Sequence, residues 1–198
     1  MSTDINEAYE KEQIRPLQQI LLSVEYAMKS DAHEGGGWSR ADDGQRFRLL
    51  LDPVGKLLQA DVPAYLTLRS DSAASDQKTS AFNKLVSGVD TKDYGNVVDC
   101  LTAMAVAAGN EQLWKPLNHA VLQACGNDDR SEVRKVGVMT LLSLMTTIGE
   151  EYMVLLPECL PVLSELLEDE NEDISTTAKE CIRLGEELLG EDLEMSLR

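Results

Sequence analysis

Aromatic and basic residues are both scarce in this chain. Phe, Trp and Tyr make up 5% of its 198 residues, while the hydrophobic fraction is still 43%. β-Sandwiches rely on aromatic and β-branched strands, so this composition favours helices packed on helices. Only 18 Lys and Arg residues stand against 35 Asp and Glu residues, for a net charge of −17. Because binding to a nucleic-acid backbone needs clustered cations, we do not expect this segment to contact RNA directly.

Long apolar runs and paired cysteines are missing too. No run approaches the roughly 18–20 apolar residues of a membrane span, and the polar start has no signal-peptide pattern, which predicts a soluble intracellular protein. His33 and His119 have no nucleophile or carboxylate at triad or metal-site spacing. We therefore expect no enzyme activity, cofactor, metal or small-molecule substrate. The cysteines are widely spaced among apolar residues, as buried thiols in a reducing compartment would be: Cys100, Cys125, Cys159 and Cys181.

An internal repeat is the most informative feature that is present. Residues 113–151 align with residues 154–192 at a spacing of 41. A period near 40, made of two helical halves, is typical of an α-solenoid of the HEAT or armadillo kind. The predicted fold class is therefore all-α, with antiparallel helix pairs stacked in HEAT-like repeats. Such folds present a long surface to partner proteins.

Apolar spacing of three and four residues predicts the individual helices. They cover residues 4–30, 42–59, 79–89, 93–108, 111–125, 131–148, 151–167 and 173–189. We divide the chain into a helical part, 1–90, with flexible loops at about 31–41 and 69–78, and a HEAT-repeat part, 91–198. The two parts are expected to form one continuous solenoid. Pro53 is predicted to kink or split its helix, and Ser131 to be an N-cap.

Two pairs of residues recur at equivalent positions of the repeat. Pro116 and Pro157 lie in the first helix of each pair, where a proline predicts a bend. Asp128 and Asp169 lie in the turn that follows. HEAT families place an Asp in this turn and an Arg early in the second helix, where the two can pair between adjacent repeats. Arg134 fills that position once, and its absence from the second repeat is consistent with a terminal cap.

Trp114 and a basic cluster are the remaining candidate site residues. Trp114 aligns with Leu155, which favours core packing over a role as a partner anchor. The cluster consists of Arg130, Arg134 and Lys135. It is a candidate partner-binding patch, and pairing between repeats is the alternative. Residues 149–198 carry a net charge of −12, which suits either a basic partner or a solvated outer face.

Several segments together resemble one family. They are LWKPLN (113–118), Val133-Arg134, EEY (150–152) with VLLPE (154–158), and the continuation to Glu170. They are similar to the C-terminal domain of the large HEAT-repeat U3 small-nucleolar-RNA-associated protein of the small-subunit processome. The resemblance covers about residues 91–198, and residues 1–90 match loosely.

The resemblance implies a non-enzymatic scaffold in the nucleus and nucleolus. Family members act in 18S ribosomal RNA precursor processing and small-subunit assembly, and in some organisms in ribosomal-DNA transcription. The implied partners are other proteins of a U3-containing pre-ribosomal ribonucleoprotein. The alternative is a HEAT-repeat adaptor of another intracellular system, such as a transport or phosphatase scaffold.

Overall fold

The computed structural model describes residues 2–60 and 96–190, with side chains from residue 17 onward. These ranges contain helices and no strand, so the predicted all-α solenoid is confirmed. The predicted loop at 69–78 and helix at 79–89 lie outside the described residues. The described helices are α1 (Ser2–His33), α2 (Ala41–Lys56), α3 (Val97–Ala108), α4 (Glu111–Cys125), α5 (Ser131–Ile148), a 3₁₀ helix (Gly149–Leu155), α6 (Leu156–Leu166) and α7 (Glu172–Leu189).

The helices stack in two rows. In one row α1 packs on α3, α3 on α5, and α5 on α7. In the other row α2 packs on α4, and α4 on the 3₁₀ helix and α6. The pairs α2–α3, α4–α5 and α6–α7 join the rows, so each helix of a pair covers the apolar face of the other. The core therefore runs continuously between the rows.

Equivalent positions of successive repeats touch one another. The hydroxyl groups of Thr102 and Ser143, which are 41 residues apart, lie 2.8 Å from each other. The thiol of Cys159 points to Oδ1 of Asn118, again 41 residues away, at 3.5 Å. Thr102 lies in α3, ahead of the segment in which the sequence shows the repeat. A contact at the spacing of 41 therefore also joins α3 to α5, one helix N-terminal to the aligned segment.

Asparagines cap three of the described helices. The side chain of Asn96 accepts from the backbone N–H of Asp99 (2.8 Å), that of Asn110 from Leu113 (3.1 Å), and that of Asn171 from Asp173 (3.0 Å). Such a bond satisfies one of the free N–H groups of the first turn. The prediction of Ser131 as an N-cap is wrong: Arg130 holds that position, and its side chain makes no capping bond.

The three prolines lie in different helical contexts, and the predicted breaks and shared bend are not seen as such. Pro53 lies inside α2, whose interruption falls instead at residues 42–44, where the backbone is left-handed. The predicted helix 151–167 is divided into the 3₁₀ helix and α6, and Pro157 lies in the first turn of α6. A proline is tolerated there because that N–H has no partner within the helix. Pro116 is inside α4, so the aligned prolines do not make one common bend.

Residues 34–40, predicted as part of a flexible loop, form a hydrogen-bonded turn after α1 has continued to His33. The carboxylate of Asp31 accepts from the N–H groups of Trp38 (2.8 Å) and Ser39 (3.0 Å). The Arg40 guanidinium donates to the Ala108 carbonyl at 2.9 Å and ties the turn to α3. Gly36 has φ +74, and a Cβ there would lie 2.3 Å from the Ala107 oxygen. Only glycine fits at this contact.

By length and composition alone, the stretch Ser131–Leu166 is apolar enough to cross a membrane, contrary to the expectation that no run approaches that length. It comprises α5, the 3₁₀ helix and α6, and 56% of its most apolar window is buried inside the structure. Helices in the core of a packed protein pass the same test. One such stretch is weak support for a membrane span.

Candidate functional site at the junction of the repeats

The residues that carry the family resemblance meet at the junction between α4 and α6. Asn118 is fully buried, and its Oδ1 accepts from the Tyr152 hydroxyl at 2.8 Å. Its Nδ2 donates to Oε2 of Glu158 at 3.4 Å. Asn118 belongs to the LWKPLN segment, and the other two belong to segment 150–158. A polar network therefore joins the two segments; it is buried at Asn118 and Tyr152 and reaches the surface at Glu158.

Trp114 joins the same junction to α3. Its indole Nε1 donates to the Ala105 carbonyl at 2.8 Å, and its ring lies 6.1 Å from the ring of Tyr152, tilted by 59°. The side chain is only 4% exposed. Both the apolar surface and the N–H group are satisfied within the chain, so Trp114 serves the core and is not presented to a partner.

Burial keeps the hydroxyl and thiol groups of the junction neutral. It raises the pKa of Tyr152 well above its usual value, and it raises the pKa of the Cys159 thiol to about 12 despite a hydrogen bond to Asn118. A neutral hydroxyl can donate to the amide oxygen, as observed. General acid–base chemistry needs groups that titrate near neutral pH, and these groups do not.

The basic cluster is engaged within the chain. The Arg134 guanidinium binds Asp169 through Nε (2.6 Å) and Nη2 (3.2 Å), and its Nη1 donates to the Asn127 carbonyl at 3.0 Å. Lys135 Nζ lies 2.7 Å from Oδ2 of Asp173. The Arg130 guanidinium donates to two carbonyl oxygens just after α2, those of Gln59 and Ala60, each at 3.1 Å. All three cations thus connect separate parts of the solenoid.

The two aligned aspartates have different roles. The side chain of Asp169 is 5% exposed and accepts from Arg134 and from the Asn171 N–H (2.9 Å). The hydrogen bond from Arg134, which outweighs the opposing effect of burial, lowers the pKa of Asp169 below its usual value. Asp128 is exposed and contributes its backbone oxygen, which lies 3.5 Å from Arg134 Nη1. One guanidinium therefore holds both turns, one by a carbonyl group and the other by a carboxylate.

No metal site occurs among the residues that the structure describes: no three His, Cys, Asp or Glu side chains there could hold one ion. His33 and His119 are both exposed. The prediction that the four cysteines are buried and unpaired is confirmed. Burial raises the pKa of Cys100 to about 12, so this thiol is protonated and unreactive at neutral pH.

Sequence reasoning missed Asn118 and Tyr152 as a pair. Their bond connects two repeats, and neither residue has an identical counterpart 41 positions away. The 41-residue repeat alignment contained a signal for the position of Asn118. A polar Asn118 on an apolar helix face falls on Cys159, and equivalent positions of stacked repeats lie side by side.

The chain is similar to segments of much longer proteins. It is 33% identical over 151 residues to an uncharacterised protein of Arabidopsis thaliana, a match that covers 76% of this chain and 6% of that one. It is 37% identical over 99 residues to human HEAT repeat-containing protein 1, covering 50% of this chain and 5% of the human protein. It is 29% identical over 166 residues to U3 small nucleolar RNA-associated protein 10 of Pyricularia oryzae, covering 81% of this chain and 9% of the fungal protein.

No protein-family model matches this sequence, and no solved structure matches it. The matched regions span between 5% and 9% of the length of the three relatives just named. The matches agree with the helical repeat architecture and are consistent with the C-terminal segment indicated by the LWKPLN resemblance. The chain is thus homologous to a segment of the large HEAT-repeat proteins named HEAT repeat-containing protein 1 and U3 small nucleolar RNA-associated protein 10.

Proposed function

We propose that this chain is a non-enzymatic interaction scaffold in a U3-containing pre-ribosomal particle. There it supports 18S ribosomal RNA precursor processing and small-subunit assembly, with ribosomal-DNA transcription as a further possible process. The observation that carries the proposal is the similarity to proteins named for association with U3 small nucleolar RNA. It covers the segments that build the buried junction between the repeats.

The architecture supports a scaffold role. The Tyr152 hydroxyl and the Asn118 amide are buried and bonded to each other, which suits stable stacking of the repeats. Two-row helical solenoids present extended surfaces built from successive repeats. The proposed partners are other proteins of the particle, and the proposed location is the nucleus and nucleolus.

Direct RNA contact by this segment is not part of the proposal, because a net charge of −17 opposes phosphate binding. Partner contact by Arg130, Arg134 and Lys135 stays a prediction. Each of the three already donates to a group within the chain. A partner would have to share these cations with their present acceptors.

Affinity capture of the tagged chain from cells tests the proposal. The captured material is analysed by protein mass spectrometry and by RNA sequencing. We expect enrichment of pre-ribosomal proteins together with U3 RNA and 18S precursor RNA. The matched control is Leu141→Asp, which is designed to disrupt the stacking of α5 and should lose this enrichment.

Two results would contradict the proposal. One is capture of transport or phosphatase components without any U3 particle protein or precursor RNA, which would support the alternative adaptor role. The other is equal enrichment by the Leu141→Asp control, which would show that the folded solenoid is not what the particle binds.

A further inference from the structure

A groove of about 450 Å³ lies between α2 and α4, which are neighbours in one row of the solenoid. Its floor is built by small and apolar residues: Leu51, Gly55, Pro116 and Ala120. Gly55 has no side chain, and a Cβ placed there would lie 3.6 Å from Cβ of Ala120. The two helices therefore leave an open channel where larger side chains would have closed the gap.

The rim of the groove is polar and carries a net positive charge, whereas the chain as a whole is acidic. Two cations, Arg48 and Lys56, face one carboxylate, Asp52. The lining thus has a net positive charge, although the chain as a whole carries −17. Gln59 and Gln123 add amide groups, which can donate to and accept from a peptide backbone.

The two cations are available to a ligand. Lys56 pairs with Asp52 at 2.7 Å, but their side chains are 73% and 67% exposed, and exposed pairs of this kind are weak. Within the described part of the chain, the Arg48 guanidinium is seen to donate once, from Nη1 to the Asp43 carbonyl at 2.8 Å. Its remaining N–H groups suit the bidentate recognition of a carboxylate.

We propose that this groove binds an acidic peptide segment of a partner protein. An apolar side chain of the peptide rests on the floor, and the flanking carboxylates pair with Arg48 and Lys56. The glutamine amides hydrogen-bond to the peptide backbone. The groove would be a binding surface for the scaffold function proposed above, and the inference rests on that function. The binding experiment uses purified components, so its result does not depend on whether the chain belongs to a pre-ribosomal particle.

Charge complementarity selects this occupant. A basic peptide would be attracted to the acidic surface elsewhere, but it would meet two like charges at the groove. A purely apolar helix would leave the rim cations desolvated without partners. An acidic segment with one apolar anchor satisfies both the floor and the rim.

The experiment measures fluorescence anisotropy of a short labelled peptide in which one leucine is flanked by aspartate and glutamate. We expect saturable binding to the whole purified chain. Replacing the acids by their amides, or the leucine by serine, should weaken binding about tenfold. The double variant Arg48→Gln/Lys56→Gln should weaken binding of the acidic peptide by a similar factor of about ten. Gln123→Phe should weaken it by obstructing the groove.

A matched control removes the same charge at the other end of the solenoid. Lys179→Gln/Arg183→Gln on α7 lowers the net charge equally but should change the affinity less than about twofold. Circular dichroism of each variant establishes that the solenoid is still folded. If Gln123→Phe alone lost helical content, the Arg48/Lys56 variant, whose changes are exposed, would decide the question.

Three outcomes would overturn the proposal. The first is equal affinity for the acidic peptide and its amide counterpart. The second is equal weakening by the control variant on α7, which would indicate long-range attraction and not a site. The third is full displacement of the peptide by a short oligouridylate, which would show a surface for polyanions and not for a peptide.

Discussion

Arg134 binds Asp169 with two nitrogen atoms, at 2.6 and 3.2 Å, across the boundary between two repeats. The side chains are 19% and 5% exposed, so water screens this pair less than the exposed pairs on the described helices, such as Lys56 with Asp52. The same guanidinium holds the Asn127 carbonyl of its own turn. The guanidinium therefore neutralises the Asp169 carboxylate and also fixes the distance between the two turns.

A double-mutant cycle on Arg134→Met and Asp169→Asn tests this role. Each single change leaves a partly buried charge without its opposite charge, and we expect the free energy of unfolding to fall by about 1–3 kcal/mol. The coupling energy should be about 1 kcal/mol or more. The measurement is urea unfolding followed by circular dichroism.

The control for this cycle is Arg183→Met with Glu187→Gln, an exposed pair on α7. Its coupling should stay below about 0.5 kcal/mol. Equal coupling energies in the two cycles would show that the Arg134 contact is an ordinary surface pair without a special structural role.

The stability of the solenoid should fall in acid because of Asp169. The pKa of Asp169 is lowered in the folded chain, so the folded state binds its proton less readily than the unfolded state. Its contribution is therefore fully present above the unfolded pKa of about 4 and is lost as the pH falls through the lower folded pKa. Unfolding curves at pH 7, 5, 4 and 3 measure this loss.

The variant Asp169→Asn should show a smaller decrease between pH 5 and 3 than the parent chain. Asp31 keeps its own acid dependence in both proteins: burial raises its pKa, but hydrogen bonds from Ser39 and Trp38 together lower it further, to below its usual value. Identical pH profiles for the two proteins would exclude Asp169 as a source of the acid sensitivity.

The buried hydroxyl of Tyr152 offers a test of the repeat junction. Tyr152→Phe removes the 2.8 Å bond and leaves Oδ1 of the fully buried Asn118 with only the weaker thiol donor of Cys159. We expect a loss of about 1–3 kcal/mol in the free energy of unfolding. Tyr26→Phe is the control, since Tyr26 is 63% exposed and should change stability by less than about 0.5 kcal/mol. A junction that tolerates both changes equally would not depend on the Asn118 network.

The helices of the repeat could be predicted because their signals are local. Asn110 begins α4, and glycines with positive φ, such as Gly149 and Gly190, end α5 and α7. The break at Asp42 and Asp43 could not be predicted in the same way. Those residues adopt positive φ where α2 approaches α4, and a Cβ on the neighbouring Gly44 would lie 2.1 Å from Leu113. That contact joins residues far apart in the chain.

The site was predictable in part for the same reason. Repeat alignment identified Asp169 and Arg134 because HEAT-type pairing recurs at fixed positions. The groove between α2 and α4 has no sequence signal, since it depends on Gly55 facing Ala120 across two helices. The spacing of apolar residues along one helix does not predict which small residues of two different helices will lie opposite each other.

The register of the repeat can be tested in the core. Leu141 is fully buried in α5 and aligns with Ile182 in α7. Leu141→Asp places a carboxylate in the apolar core, and we expect the 131–190 region to unfold. Val154→Asp is the control, because Val154 is 51% exposed and should tolerate the charge. Unchanged helical content and thermal midpoint in Leu141→Asp would overturn the proposed register.

Gly137 provides the sharpest test of helix packing, because two effects on stability have opposite signs. Glycine to alanine inside an exposed helix normally stabilises it by about 1 kcal/mol. At Gly137, however, a Cβ would lie 2.7 Å from the backbone nitrogen of Cys125 and 2.9 Å from its sulfur, so α5 and α4 would have to separate. We expect Gly137→Ala to destabilise the chain by about 1–3 kcal/mol. Gly55→Ala is the matched control, since its Cβ would make only ordinary van der Waals contacts, with Ala120 at 3.6 Å and Leu51 at 4.0 Å, and that change should be neutral or stabilising. Thermal unfolding of both variants decides the matter: stabilisation by Gly137→Ala would show that α4 and α5 are further apart than the close contact described here.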